Sequence, residues 1–296
     1  MNNQSLVRRL RFTTRRTMQE LSLGQYRSAF RGRGMEFEEV REYLPGDDVR
    51  AIDWKVTART GKPQIKVFRE ERELSVLLLV DQSPSTFSGT KDHLRADCVA
   101  EIGSILTFAA LQSNDRVGLC SFGGEKRSYL PPKKARNISW QIIKSLTQAV
   151  RPRKANPETS FSQTCDFLNL VLKRRSLIFI LSDFLIDDLE RGISKLTNKH
   201  EIIAVRITDP SELALPNLGL IEIEDPETGL RQLLDTSDRA VCQQFYAEQQ
   251  TLTAKLSKIF LKCKTDTLTI NSSRPVGPEL VKFFKLRSQH KHHYAG

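Results

Sequence analysis

Asp81-Gln82-Ser83-Pro84-Ser85 is the first stretch whose residue types could do chemistry, and it follows directly on the apolar run Ser75–Val80. Two hydroxyls at alternate loop positions can point the same way. With the aspartate they make a set of oxygen donors for a hard divalent cation such as magnesium. Five residues cannot surround an ion, so a third hydroxyl and a second carboxylate must come from other loops. Asp183, at the end of the second apolar run Ser176-Leu-Ile-Phe-Ile-Leu-Ser182, is placed for the carboxylate. Thr159, in Asn156-Pro157-Glu158-Thr159-Ser160 ahead of a helix, is the candidate hydroxyl. The expected set is Asp81, Ser83, Ser85 and Thr159, with Asp183 acting through a water. A structural reading of the same residues stays open, in which Ser83, Ser85 and Thr159 are turn and helix-cap residues.

The elements that must position these groups alternate. After residue 74, apolar strands at 74–81, 116–122, 176–183 and 202–207 are separated by helical patterns at 94–111, 140–150, 161–172 and 189–197. Continuous apolar strands spaced by helices predict an α/β fold with a doubly wound, mostly parallel sheet covered on both faces. Ligand sites in such sheets lie at the carboxyl ends of the strands, where Asp81 and Asp183 both fall. Beyond residue 210 the pattern predicts a hairpin turning at Asp225-Pro226-Glu227-Thr228-Gly229, a helix over 238–262, a strand over 267–270 and a last helix over 278–287.

The chain divides into a basic helical arm (1–34), a ribbon-like block (35–73), the alternating α/β domain (74–275) and a C-terminal helix and tail (276–296). In the arm, eight arginines face one acid, Glu20, with Leu6, Leu10 and Leu21 as an apolar stripe. Such an arm suits packing on the domain or a peripheral contact with a membrane surface. In the second block, Arg41, Asp47, Asp48, Arg50, Asp53 and Arg59 suggest an ion-pair network that pins the ribbon to the sheet. The cluster His290, His292 and His293 fits a frayed terminal helix better than a metal site.

The 296 residues carry a formal charge of +11, from 46 Lys and Arg against 35 Asp and Glu. No apolar run reaches the roughly 18 residues a membrane span needs. Cys98, Cys120, Cys165, Cys242 and Cys263 are odd in number, scattered and without a C-x-x-C pair, as expected of reduced core residues in a cytoplasmic protein.

The strand-end set resembles the metal-ion-dependent adhesion site (MIDAS) of von Willebrand factor A-like domains, in which D-x-S-x-S, a distal threonine and a distal aspartate hold magnesium or manganese. In those domains an acidic side chain from a partner often completes the coordination. The upstream block GMEFEEVREYLPGDDVRAIDWKVTARTGKPQIKVFREERE is similar to the signature of the family numbered 58 among domains of unknown function. The chain departs from that family's pattern at Thr86-Phe87, where methionine is common, and at Pro157-Glu158, where glycines are. The resemblance implies a non-enzymatic adaptor that partners a MoxR-type AAA+ ATPase in chaperone-like maturation or assembly of client proteins.

Two other classes compete. A phosphatase-like hydrolase could use Asp81 as nucleophile, but a second acid is normal two residues on, and Ser83 stands there. No Walker-type loop, nucleophile elbow or zincin motif is present, and His93 and His200 fall at helix ends. Nucleic-acid binding would suit the charge, yet no zinc-finger, RNP or helix-turn-helix pattern accompanies it, so no nucleic acid is expected.

Overall fold

The structure is a computed structural model and describes residues 3–20, 23–30, 36–69, 73–90, 93–135, 137–149, 157–210, 215 and 217–293. Two helices, α1 (Asn3–Glu20) and α2 (Leu23–Phe30), precede an antiparallel ribbon of β1 (Glu36–Glu42) and β2 (Gln64–Arg69), with α3 (Trp54–Thr60) between its strands. Then come β3 (Ser75–Asp81), the small pair β4 (Gly89–Thr90) and β5 (His93–Leu94), α4 (Arg95–Gln112), β6 (Arg116–Phe122), β7 (Tyr129–Lys133), α5 (Ile138–Thr147) and α6 (Phe161–Val171). The chain continues through β8 (Leu177–Ser182), α7 (Leu189–Thr197), β9 (Glu201–Thr208), the hairpin β10 (Leu220–Glu224) and β11 (Arg231–Asp235), α8 (Arg239–Lys262), β12 (Asp266–Asn271) and α9 (Val276–His293).

Six strands form the main sheet in the order β12-β9-β8-β3-β6-β7. All neighbours are parallel except β6 and β7. The expected α/β, doubly wound, mostly parallel sheet is therefore what forms. The two-residue period of β3 shows why its sequence is continuously apolar. Val76, Leu78 and Val80 enter one core, with side chains from α1, α2, α4, α5 and α9. Leu77 and Leu79 enter the other, with side chains from α6, α7 and α8. Each such leucine contributes about 1.5–3 kcal/mol on burial.

The antiparallel edge was not read from the sequence, because Tyr129-Leu-Pro-Pro-Lys133 lacks a strand signature. Prolines donate no ladder hydrogen bond, which suits an edge. Gly118 permits the approach: a Cβ there would lie 2.5 Å from the Leu130 carbonyl oxygen and 2.6 Å from Pro132 N.

The ribbon block holds itself together. Arg41 donates to both oxygens of Asp47 at 2.8 Å, Asp48 caps a short 3-10 turn through Arg50 N–H, and Asp53 caps α3 while pairing with Lys66. Among the described residues these bonds stay inside the ribbon, which corrects the expectation that they pin it to the sheet. Arg50 and Arg59 enter no ion pair among the described residues. The side chains of Leu6, Arg8, Arg9, Arg11, Leu21, Arg31, Arg33, His290, His292 and His293 lie outside the described residues, and so do those of Asn156 and Pro157. The terminal helices join the core. Tyr26 and Phe30 of α2 stack edge-on against Phe284 of α9 at 5.8 and 5.2 Å, and Phe30 meets Phe179 of β8 at 5.7 Å. All five cysteines are free thiols, four of them buried. No helix among the described residues is long and apolar enough to cross a membrane.

Candidate metal site at the strand ends

Strand β3 lies between β6 and β8, so three adjacent carboxyl ends meet at one edge. Asp81 ends β3 and is 2% exposed. Its Oδ1 accepts from Ser83 N–H at 2.8 Å, and its Oδ2 accepts from the Ser182 hydroxyl of the neighbouring strand at 2.6 Å. The loop then turns into a 3-10 helix, Pro84–Phe87, with proline at its first position and Ser83 before it in extended conformation. That turn brings the Ser83 and Ser85 hydroxyl oxygens within 3.0 Å of each other. Neither serine side chain caps the turn through a hydrogen bond to its N–H groups. The capping reading therefore does not account for Ser83.

Strand β6 supplies the floor. Gly123 follows it with φ +75°, and a Cβ there would lie 3.0 Å from both Asp81 Oδ1 and Ser83 N. Glycine is the residue that allows both the left-handed turn and this close approach. Gly123 N–H donates to the Thr159 carbonyl at 2.8 Å, and the Thr159 hydroxyl donates to the Gly124 carbonyl at 2.5 Å. Thr159 is thus buried against the Gly123-Gly124 turn, with its O–H committed to that turn. Arg127 holds the same turn from outside, donating to the Glu158 carbonyl and to Thr164 Oγ1.

Asp183 follows β8. Its Oδ1 accepts from Leu185 N–H at 3.0 Å, and its Oδ2 pairs with Arg95 at 3.1 Å. Arg95, the first residue of α4, is itself buried and also donates to the Ser85 carbonyl at 3.0 Å. It therefore ties the D-x-S-x-S loop to the second carboxylate. Phe184, next along, has φ +63°, a conformation costly for a large side chain. Phe184 N–H donates to Ser182 Oγ, and its ring packs on Phe260 at 5.0 Å, which holds the turn in place.

The electrostatics are those of a site short of positive charge. Burial first, and then the negative charge of Asp183, push the Asp81 carboxyl up to about 7 against the hydrogen bonds that lower it. Among the described residues no Lys or Arg pairs with Asp81. Nor does any group of three or more His, Cys, Asp or Glu gather there, so an imidazole or thiolate cage is not the chemistry on offer. Carboxylate and hydroxyl oxygens beside an unpaired buried charge fit a hard cation, magnesium or manganese. Asp81, Ser83, Ser85, Thr159 and Asp183 all lie at this edge. Sequence reasoning did not find Ser182, Arg95, Gly123 or Glu227, the last of which accepts from Ser85 N–H at 3.0 Å. Ser182 alone had a usable signal, as the residue before Asp183 on a strand beside β3.

A family model described as "Protein of unknown function DUF58" matches residues 39–255. An uncharacterized protein of Mycobacterium tuberculosis is 27% identical over 283 residues, covering 95% of this chain and 88% of that protein. The uncharacterized protein YeaD of Bacillus subtilis is 31% identical over 93 residues, covering 30% of this chain and 21% of that one. Among solved structures, BatB from Bacteroides thetaiotaomicron has a TM-score of 0.45 at 14% identity, covering 73% of this chain and 99% of its own. The SpRpn10 VWA domain has a TM-score of 0.39 at 13% identity, covering 71% and 94%.

Proposed function

Because the chain belongs to the DUF58 family of proteins of unknown function, we propose that it is a non-enzymatic, metal-dependent protein-interaction adaptor of the von Willebrand factor A-like kind. In this reading it partners a MoxR-type AAA+ ATPase in chaperone-like maturation or assembly of other proteins. The observation that carries the reading is the oxygen set at the sheet edge: Asp81, with the Ser83 and Ser85 hydroxyls 3.0 Å apart beside it. Asp81, Ser83, Ser85 and Thr159 would hold the ion, and Asp183, fixed by Arg95, sets the charge behind it. Magnesium or manganese, when bound, supplies a Lewis-acidic charge that draws a partner's carboxylate.

Three features favour docking over hydrolysis. Ser83, two residues after Asp81, is bonded to Ser85 and offers no proton-accepting carboxylate to a reaction at Asp81. His200 is at the opposite edge of the sheet, where its Nδ1 accepts from Ser176 N–H at 3.2 Å. Burial also raises the thiols of Cys120, to about 12, and Cys165, which keeps both protonated and unreactive.

The test is capture of the full chain on an immobilised MoxR-type ATPase. Binding in magnesium is expected, with loss on chelation and in a folded Asp81→Ala variant. Capture unchanged by both treatments would refute the proposal.

A further inference from the structure

Glu227 lies 142 residues along the chain from Ser85, yet its Oε1 accepts from Ser85 N–H at 3.0 Å. It sits at the tip of the β10–β11 hairpin, in a turn organised without its side chain. Asp225 accepts from Glu227 N–H at 2.9 Å and from the Thr228 hydroxyl at 2.6 Å, and Gly229, at φ +72°, closes the turn onto the Asp225 carbonyl. The Glu227 side chain is therefore spare, and it reaches across to the D-x-S-x-S loop. Its second oxygen, Oε2, makes no hydrogen bond among the described residues.

Most apolar residues of the hairpin that carries it face solvent. Leu220, Ile223, Leu230 and Leu233 are exposed, and the cross-strand pair Ile221 and Leu234 is half-buried. An exposed carboxylate, brought to the amide of Ser85 and half unsatisfied, is a donor waiting for a cation. The charge at the edge agrees with this. Arg95 offsets Asp183, with Arg206 acting on Asp183 from the adjacent strand, so a divalent ion on Asp81 leaves excess positive charge for a further carboxylate.

We infer that Glu227 is an internal carboxylate ligand for the ion held by Asp81, Ser83 and Ser85, and that a partner's acidic side chain must displace it to dock. The inference rests on the metal-site reading above. The hairpin then acts as a self-supplied occupant of the docking position, released when an external acid takes its place.

The experiment uses the full chain titrated with Mn2+, followed by water-proton relaxation, for the wild type, Glu227→Gln and Asp81→Ala. Glu227 is exposed, so its substitution leaves the core intact. Wild type should bind Mn2+ and Asp81→Ala should not. Glu227→Gln should bind roughly tenfold more weakly, the order of effect of one supporting group, and its bound ion should relax water faster because a coordination position opens. Added acetate should reverse that gain in the variant and leave wild type unchanged. If Glu227→Gln matches wild type in affinity and relaxation while Asp81→Ala has lost the ion, the Glu227 inference falls and the metal site stands. If wild type fails to bind Mn2+, or Asp81→Ala binds it equally, the metal-site reading falls and this inference with it.

Discussion

A carboxylate buried as deeply as Asp81 is costly, and its neighbours divide that cost. Ser83 N–H and Ser182 Oγ satisfy one oxygen each, while Arg95 neutralises Asp183 rather than Asp81. A second buried titratable group, His200, follows the opposite logic. Its imidazole is 3% exposed, and burial first, then the charges of Lys199 and Arg175, lower it from the usual value to about 4. The unfolded chain protonates near 6.5. His200 thus contributes stability that is fully present above about 6.5 and is lost as pH falls through about 4, on the order of 3 kcal/mol in total. A His200→Gln variant should show a flatter fall in melting temperature between pH 7 and 4. An unchanged slope would assign the acid limb to other groups.

At this scale the sequence was legible where chemistry and spacing are local. Asp81, Ser83 and Ser85 lie within five residues, and Asp183 repeats the strand-end position. Arg95 and Glu227 were hidden because nothing in their own neighbourhoods marks them. Their roles arise from pairings across 88 and 142 residues that exist only once the sheet and hairpin form.

Among the elements, the α6–α7 contact bears on the site. Gly192 lies on α7 where a Cβ would come within 2.5 Å of the Phe161 ring. Phe161 opens α6 two residues after Thr159 and stacks edge-on with Phe122 at 5.1 Å, at the end of β6. Gly192→Ala should therefore cost about 1–3 kcal/mol by overpacking, in place of the gain that alanine brings at an open helix position. Denaturant unfolding checks this, and an unchanged midpoint would mean the ring moves freely. Periodicity predicted α4, α6, α7 and α8 to within a residue or two at each end. It missed β7, whose two prolines hide an edge strand, and it did not anticipate that α3 would start at Trp54, where Asp53 provides the cap.

For the whole molecule, the strands and helices of the α/β domain were legible because an apolar run must be covered on both faces. The terminal helices were legible as helices but their docking was not, because whether an amphipathic segment packs or stays free depends on a groove elsewhere in the fold. Here the groove exists: Phe284 is fully buried among Tyr26, Phe30 and Phe283, and Arg287 pairs with Asp266 at 2.9 Å while lying over the Phe30 ring. Phe284→Ala should cost about 3–5 kcal/mol, read as a lower denaturation midpoint with α2 exposed to protease. A loss below about 1 kcal/mol would show that α9 is dispensable to the core.

That aromatic cluster also sets a timetable. Phe30 and Phe179 meet as soon as β8 is made, but Phe284, the ring that closes over Phe30, follows about a hundred residues later. At roughly 5–20 residues per second, that part of the sheet's face spends on the order of five seconds or more without its α9 cover. The patch around Phe30 is open to chaperones, or to aggregation, for that interval.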